Sequence, residues 1–253
     1  MKKLLLPLLA ASIPLGIMPA MAQSEAIVAA PSQDSEKAEL LQTFASLYLA
    51  EDVTMASSLK AHDVQFLRAA KADAASVALD KQYPGIIDAA MAASRGATEA
   101  SLRETMPLIK NEIAAFMDPI FTTSEVKAIN AFYMSDEGKR LMRGMLDNLD
   151  TNKLADGMKE RVLKDDDSGL LDKDELIAEA GTAAMKSMDA AIITALVKFN
   201  NTKSGSKFNA QANDLAAVMT DSMNNAMKTV AEKAQVATMT AVQQFMNDKA
   251  AQK

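Results

Sequence analysis

FYMSDEGKRL at residues 132–141 is answered by FNNTKSGSKF at 199–208. Aligned on their first residues, the two stretches pair Phe132 with Phe199, Ser135 with Thr202, Gly138 with Gly205, Arg140 with Lys207 and Leu141 with Phe208. An apolar helical pattern precedes each Phe and another follows each Gly. This spacing predicts a helix hairpin written twice. Ser135 or Thr202 caps the second helix by accepting a hydrogen bond from the backbone near its third residue. The glycine falls at that third position, where the lack of a side chain lets the first helix pass close by. Phe132 and Phe199 plug the inside of the corner, and repeating the unit buries two apolar faces with one device.

The text around the copies is helical too. From Glu36 on, Ala, Leu, Met, Lys and Glu dominate, no alternating β-branched run appears, and Gly and Pro act as punctuation. Leu40, Leu41, Phe44, Leu47 and Tyr48 recur at helical spacing. A segment over about 54–81 carries Met55, Leu59, Val64, Phe66, Leu67 and Val77; Pro84-Gly85 opens the next, and Gly96 ends it. A further helix over about 98–117 uses Leu102, Met106, Leu108, Ile109, Ile113 and Phe116 before Pro119 stops it. Thr122 and Glu125 then write a capping box, T-x-x-E, ahead of Val126, Ile129 and Phe132. Past Gly205 there is neither glycine nor proline, and an apolar stripe runs from Phe208 through Leu215, Met219, Ala226 and Ala234 to Phe245. It predicts one very long helix, or two end to end, against a usual length of about 8–20 residues. Its face would serve the bundle or a second subunit.

The fold class is therefore all-α: a multi-helix bundle built from two related helix-hairpin units, with a long C-terminal helix. The first unit spans 36–150. An acidic stretch, 151–175, joins it to a second, diverged hairpin and the long helix at 176–253.

At the N-terminus Lys2 and Lys3 precede an apolar run, Leu4 to Ile17, and Ala20-Met21-Ala22 offers a small-x-small cleavage site. Residues 1–22 read as a signal peptide, too short to span a bilayer, and 23–35 as a small, polar, disordered tail. Export, most simply to the periplasm, is expected. The chain has no cysteine, so stability must come from the core, and thiol nucleophiles and iron–sulfur ligation are excluded. The net charge is −6, and −8 without Lys2 and Lys3. An acidic chain with scattered Lys offers no footprint for nucleic acid, and no later stretch is long and apolar enough to cross a membrane.

One resemblance rests on the first copy. FTTSEVKAINAFYMSDEGKRLM, 121–142, resembles the signature of a bacterial exported family called domain of unknown function 2059, whose members carry a helix, an F-Y-x-[ST]-x-x-G corner and a basic-apolar continuation. The preceding stretch from Tyr83 to Ile120 resembles the family's upstream helices, so the likeness covers about Tyr83 to Leu149. The second copy departs from it, with Asn200 and Asn201 where the first has Tyr133 and Met134. The resemblance implies an α-helical exported protein and no reaction.

Catalytic chemistry lacks its parts. His62 is the one histidine, there is no G-x-S-x-G elbow, and it reads as a surface or satisfied helix residue. With 4% aromatics and no Trp, a sugar-stacking cleft is poorly provided for. No catalytic or cofactor-binding set emerges, and the chain reads as a non-enzyme. Met219, Met223 and Met227 lie at i, i+4 and i+8, with Met185 and Met188 earlier in the sequence. Thioethers could hold Cu(I), or flexible Met could fill an Ala-rich core. In LKDDDSGLLDKDEL, 163–176, setting Gly169 at position 6 of a calcium loop puts Glu175 at position 12. Asp166, Ser168, the Leu170 carbonyl and Asp172 would complete a weak calcium site, with Lys164 in place of the first carboxylate. The same stretch reads more simply as a solvated acidic linker between the two units, and the calcium loop is the second reading. The leading functional reading is an exported protein acting through helix-mediated contact, with a protein partner or by self-association. The second is an ion- or ligand-binding protein using the 164–175 loop or a Met-lined pocket.

Overall fold

The computed structural model describes residues 35–150, 153, 154, 156, 157 and 172–251. The expected signal peptide and nearly all of the expected tail lie outside them, as do Lys164, Asp166, Ser168 and Leu170. The described residues form α1 (Ser35–Leu49), α2 (Glu51–Ala72), α3 (Ala74–Gln82), α4 (Ile86–Met117), α5 (Thr123–Met134), α6 (Asp136–Asn148), α7 (Lys173–Ser187), α8 (Ala190–Asn200) and α9 (Lys203–Ala251). Among the described residues there is no strand, and no helix is long and apolar enough to cross a membrane. The fold is an all-α bundle ending in a single helix of 49 residues.

Several boundaries differ from the sequence pattern. Ser35, expected in the tail, opens α1. The segment expected over 54–81 divides at Asp73, whose carboxylate accepts from the Ser76 amide at 2.6 Å and so starts a new helix. Gly96 does not end a helix, because α4 continues through it for 32 residues. An interior glycine costs only about 1 kcal/mol relative to alanine, and burial of Ala90, Ser94, Thr98 and Ser101 on either side of it offsets that. Val64 and Leu108, expected on buried faces, are exposed. True breaks occur where the backbone demands them: Gly85 has φ 92°, open to glycine and costly for other residues, and its amide donates to Asp80.

α4 and α9 run antiparallel along most of their lengths. Ser222 on α9 donates to Glu112, Lys233 pairs with Glu104, and Phe245 lies beside Gly85. Small residues fill the seam: Ala90, Ser94, Thr98, Ser101 and Thr105 on α4, with Ala226, Ala231, Ala234 and Thr238 on α9. The Thr105 and Thr238 hydroxyls donate to carbonyls four residues back on their own helices, so they can be buried without a cross-helix partner. Larger side chains gather at the two ends. One core holds Phe44, Ile113, Phe121, Ile129, Phe199 and Leu215, and the other holds Phe66, Leu79, Ile86 and Val242.

The two hairpin corners are built alike. The Ser135 hydroxyl donates to the Phe132 carbonyl at 2.6 Å and accepts from the Gly138 amide at 3.1 Å. The Thr202 hydroxyl donates to the Phe199 carbonyl at 2.7 Å and accepts from the Gly205 amide at 3.0 Å. A Cβ on Gly138 would strike the Phe132 carbonyl, and one on Gly205 the Phe199 carbonyl, so both glycines hold a close helix–helix approach.

Gly138→Ala and Gly205→Ala should each destabilise the protein by about 1–3 kcal/mol, the usual cost of forcing a packed site apart. Gly96→Ala and Gly181→Ala, where nothing lies within 4 Å of an added Cβ, should instead stabilise it by up to about 1 kcal/mol through helix propensity. Urea unfolding of the four variants tests the contrast in sign.

Candidate functional site

The corners meet each other. Phe132 and Phe199 stack with centroids 4.4 Å apart and planes 10° from parallel. Phe199 is buried, while Phe132, expected to be a buried plug, is half-buried at the rim of the stack. Around them Tyr133, Phe208, Phe44 and Phe121 form edge and tilted ring contacts between 5.6 and 6.3 Å. Burial pushes the Tyr48 phenol up to about 12 and the Tyr133 phenol higher still, so both stay neutral.

Each corner's basic residue reaches the other hairpin. Arg140 of the first lies 2.7 Å from Asp189, the N-cap of α8. Lys207 of the second lies 2.8 Å from Glu125, in the first turn of α5, and 5.1 Å above the Phe121 ring. The preceding helices cross over as well: α4 packs on α9, and α7 packs on α6. Sequence reasoning aligned Arg140 with Lys207 but missed their partners, because a cross-hairpin ion pair leaves no local spacing. The capping box is present, with the Thr122 amide donating to Glu125 at 3.0 Å and the Glu125 amide donating to Thr122.

The other residues singled out by sequence are scattered. Met219 and Met223 pack against the larger core, whereas Met185 is exposed on α7. His62 bridges α2 and α4, with Nε2 2.8 Å from Ser94 Oγ and Nδ1 3.1 Å from Asp63. Asp63 in turn accepts from Arg95. The order Ser–His–Asp is superficially that of a nucleophile and its base, but Ser94 is fully buried in mid-helix and offers no approach to a reacting atom. Beside this chain, an open hollow of about 550 Å³ lies between α2 and α4. Of its charges, Asp63 on α2 pairs with Arg95 on α4, Glu51 on α2 pairs with Lys110 farther along α4, and Arg103 pairs with Glu99 along α4 itself.

Of the calcium-loop residues, Asp172 and Glu175 are described. Asp172 caps α7 by accepting from the Glu175 amide at 2.8 Å, and the Glu175 carboxylate lies against Gly157. Nearby, the Lys153 ammonium holds the buried Glu179 carboxyl below the usual range. Among the described residues no group of three or more acidic, His or Cys side chains is placed to hold a metal. Comparison of the chain with family models, curated proteins and solved structures finds no match.

The Lys207 hydrogen bond, and after it the Thr122 amide, hold the Glu125 carboxyl down at about 2, from an ordinary value of 4.5. A depressed carboxyl stabilises the fold fully above the unfolded value and loses that contribution as pH falls toward the folded one. Urea midpoints should therefore drop as pH is lowered from about 5 to about 2. Glu125→Gln should lower the midpoint at neutral pH and flatten that dependence. A variant with the wild-type slope would contradict the assignment.

Proposed function

We propose that this chain is an exported, non-catalytic α-helical protein that works in the cell envelope, most simply in the periplasm, by presenting helix surfaces to another protein. The observation that supports this best is how the side chains divide. The basic residues that follow the two corner glycines are committed, Arg140 to Asp189 and Lys207 to Glu125, and in the α2–α4 hollow Arg95 pairs with Asp63 and Arg103 with Glu99. Apolar groups are left outward on helices, among them Ile193, Val197, Val236 and Met239. Apolar positions left outward at neighbouring helical spacing, Ile193 with Val197 and Val236 with Met239, suit protein contact, whereas single ones would not. Two features fit the same reading. The net negative charge disfavours nucleic acid as the partner. The likeness of 83–149 to domain of unknown function 2059 adds export and no reaction.

The crossed pairing of α4–α5–α6 with α7–α8–α9 supports an internal duplication. In a two-fold dimer residue i of one subunit meets j of the other while j meets i. An ancestral unit that paired with its own copy would leave this pattern once the two were joined in one chain.

Native-size analysis of osmotic-shock extracts tests the functional reading. The protein should be released with the periplasmic contents and migrate in an assembly larger than the purified chain. Retention in the cytosol, or migration at the purified chain's own size, would overturn it.

A further inference from the structure

The two three-helix units are not equally covered. In the first, α1 lies over α5: the Asn130 amide donates to the Leu40 carbonyl at 2.8 Å, and Lys127 pairs with Glu36. Lys37 of α1 also pairs with Asp118, just past the end of α4. Val126 and Asn130, one turn apart on this covered face, are 0% and 3% exposed. The offset of 67 residues that aligns the corners carries them onto Ile193 and Val197 of α8. Those two are 47% and 54% exposed, and Thr194, aligned with Lys127, is exposed between them. Met185 on the last turn of α7 is 68% exposed. α8 thus keeps apolar residues where α5 has covered ones, and no helix of the described chain lies over them.

We propose that the face of α8 bearing Ile193, Thr194 and Val197 is a docking site for one amphipathic helix of a partner protein, of the same kind as α1, with acidic residues on its flanks. This rests on the interaction reading above and names its surface. Two arguments fix the occupant. The first is charge: Lys186, Lys198 and Lys203 are exposed around α8 and form no ion pair among the described residues, while Asp189 is occupied by Arg140. These unpaired lysines, on and at both ends of α8 in an otherwise acidic chain, complement an acidic helix, as Glu36 complements Lys127 in the covered unit. The second is area: an 11-residue helix is about 16 Å long and about 10 Å wide. Its outward face offers a few hundred Å² at most, short of the roughly 800 Å² per partner that a stable dimer buries. It is enough to anchor a helix at i and i+4.

The probe is a synthetic peptide of residues 35–49, the α1 helix itself, labelled and titrated into the full mature chain by fluorescence anisotropy. Saturable binding is expected, weakened about tenfold or more by Ile193→Asp or Val197→Asp. Lys198→Glu with Lys203→Glu should weaken it too, and the double Lys→Arg variant should leave it near wild type. Val236→Asp, on α9, should change nothing. Far-UV circular dichroism melts establish that each variant is folded. Absence of binding, or binding indifferent to the α8 substitutions, overturns the proposal. So does sedimentation equilibrium showing a dimer of the chain abolished by Val197→Asp, because the face would then take a second copy. If the peptide fails while the native extract still holds a larger assembly, the surface is wrong and the interaction reading survives. If the assembly is missing as well, both fail.

Discussion

The stack of Phe132 on Phe199 is the contact on which the rest of the bundle depends. It brings two helix corners face to face, and that placement makes the crossed ion pairs possible. Arg140 can reach Asp189, and Lys207 can reach Glu125, only if each hairpin presents its second helix to the first helix of the other. The close corner is in turn a matter of two missing side chains, since a Cβ at Gly138 or Gly205 would occupy the space of a backbone carbonyl. Ring stacking adds about 0.5–1.5 kcal/mol beyond area burial. Its greater effect is geometric, because a parallel stack at 4.4 Å permits little sliding of one corner on the other.

The pairing of α4 with α9 extends this arrangement away from the corners. Two helices of 32 and 49 residues would be long for isolated elements, but each serves as the other's partner. Alanine, serine and threonine in the seam give little hydrophobic burial per residue and let the backbones approach closely. Stabilisation is therefore concentrated at the two cores the helices connect, one near the aromatic cluster and one around Phe66, Ile86 and Val242. The part-buried His62–Ser94 hydrogen bond holds α2 to α4 beside the polar part of that seam.

Much of the fold was legible because its signals are local. The Phe–Ser–Gly spacing, the T-x-x-E box and the breaker-free C-terminal stretch each act within a turn or two, and each leaves a mark in a single stretch of text. Gly96 misled because propensity is a weak term that tertiary packing overrides. Leu108 and Val64 misled because an apolar period says that a face exists and not that anything covers it. The crossed pairs were invisible for a related reason: Lys207 and Glu125 are 82 residues apart, and only the docking of the corners sets them side by side. The bare face of α8 was hidden in the same way, since no local signal at Ile193 and Val197 says that α1 lies over α5 and leaves α8 uncovered.

The claim that the corners hold the two units together is tested most directly by a double-mutant cycle on the stacked rings. Phe132→Leu, Phe199→Leu and the double variant keep an apolar side chain at each site and remove the ring–ring contact. The unfolding free energies should show a coupling of about 0.5–1.5 kcal/mol between the two positions. Strict additivity, with each substitution costing the same whether or not the other ring is present, would contradict it.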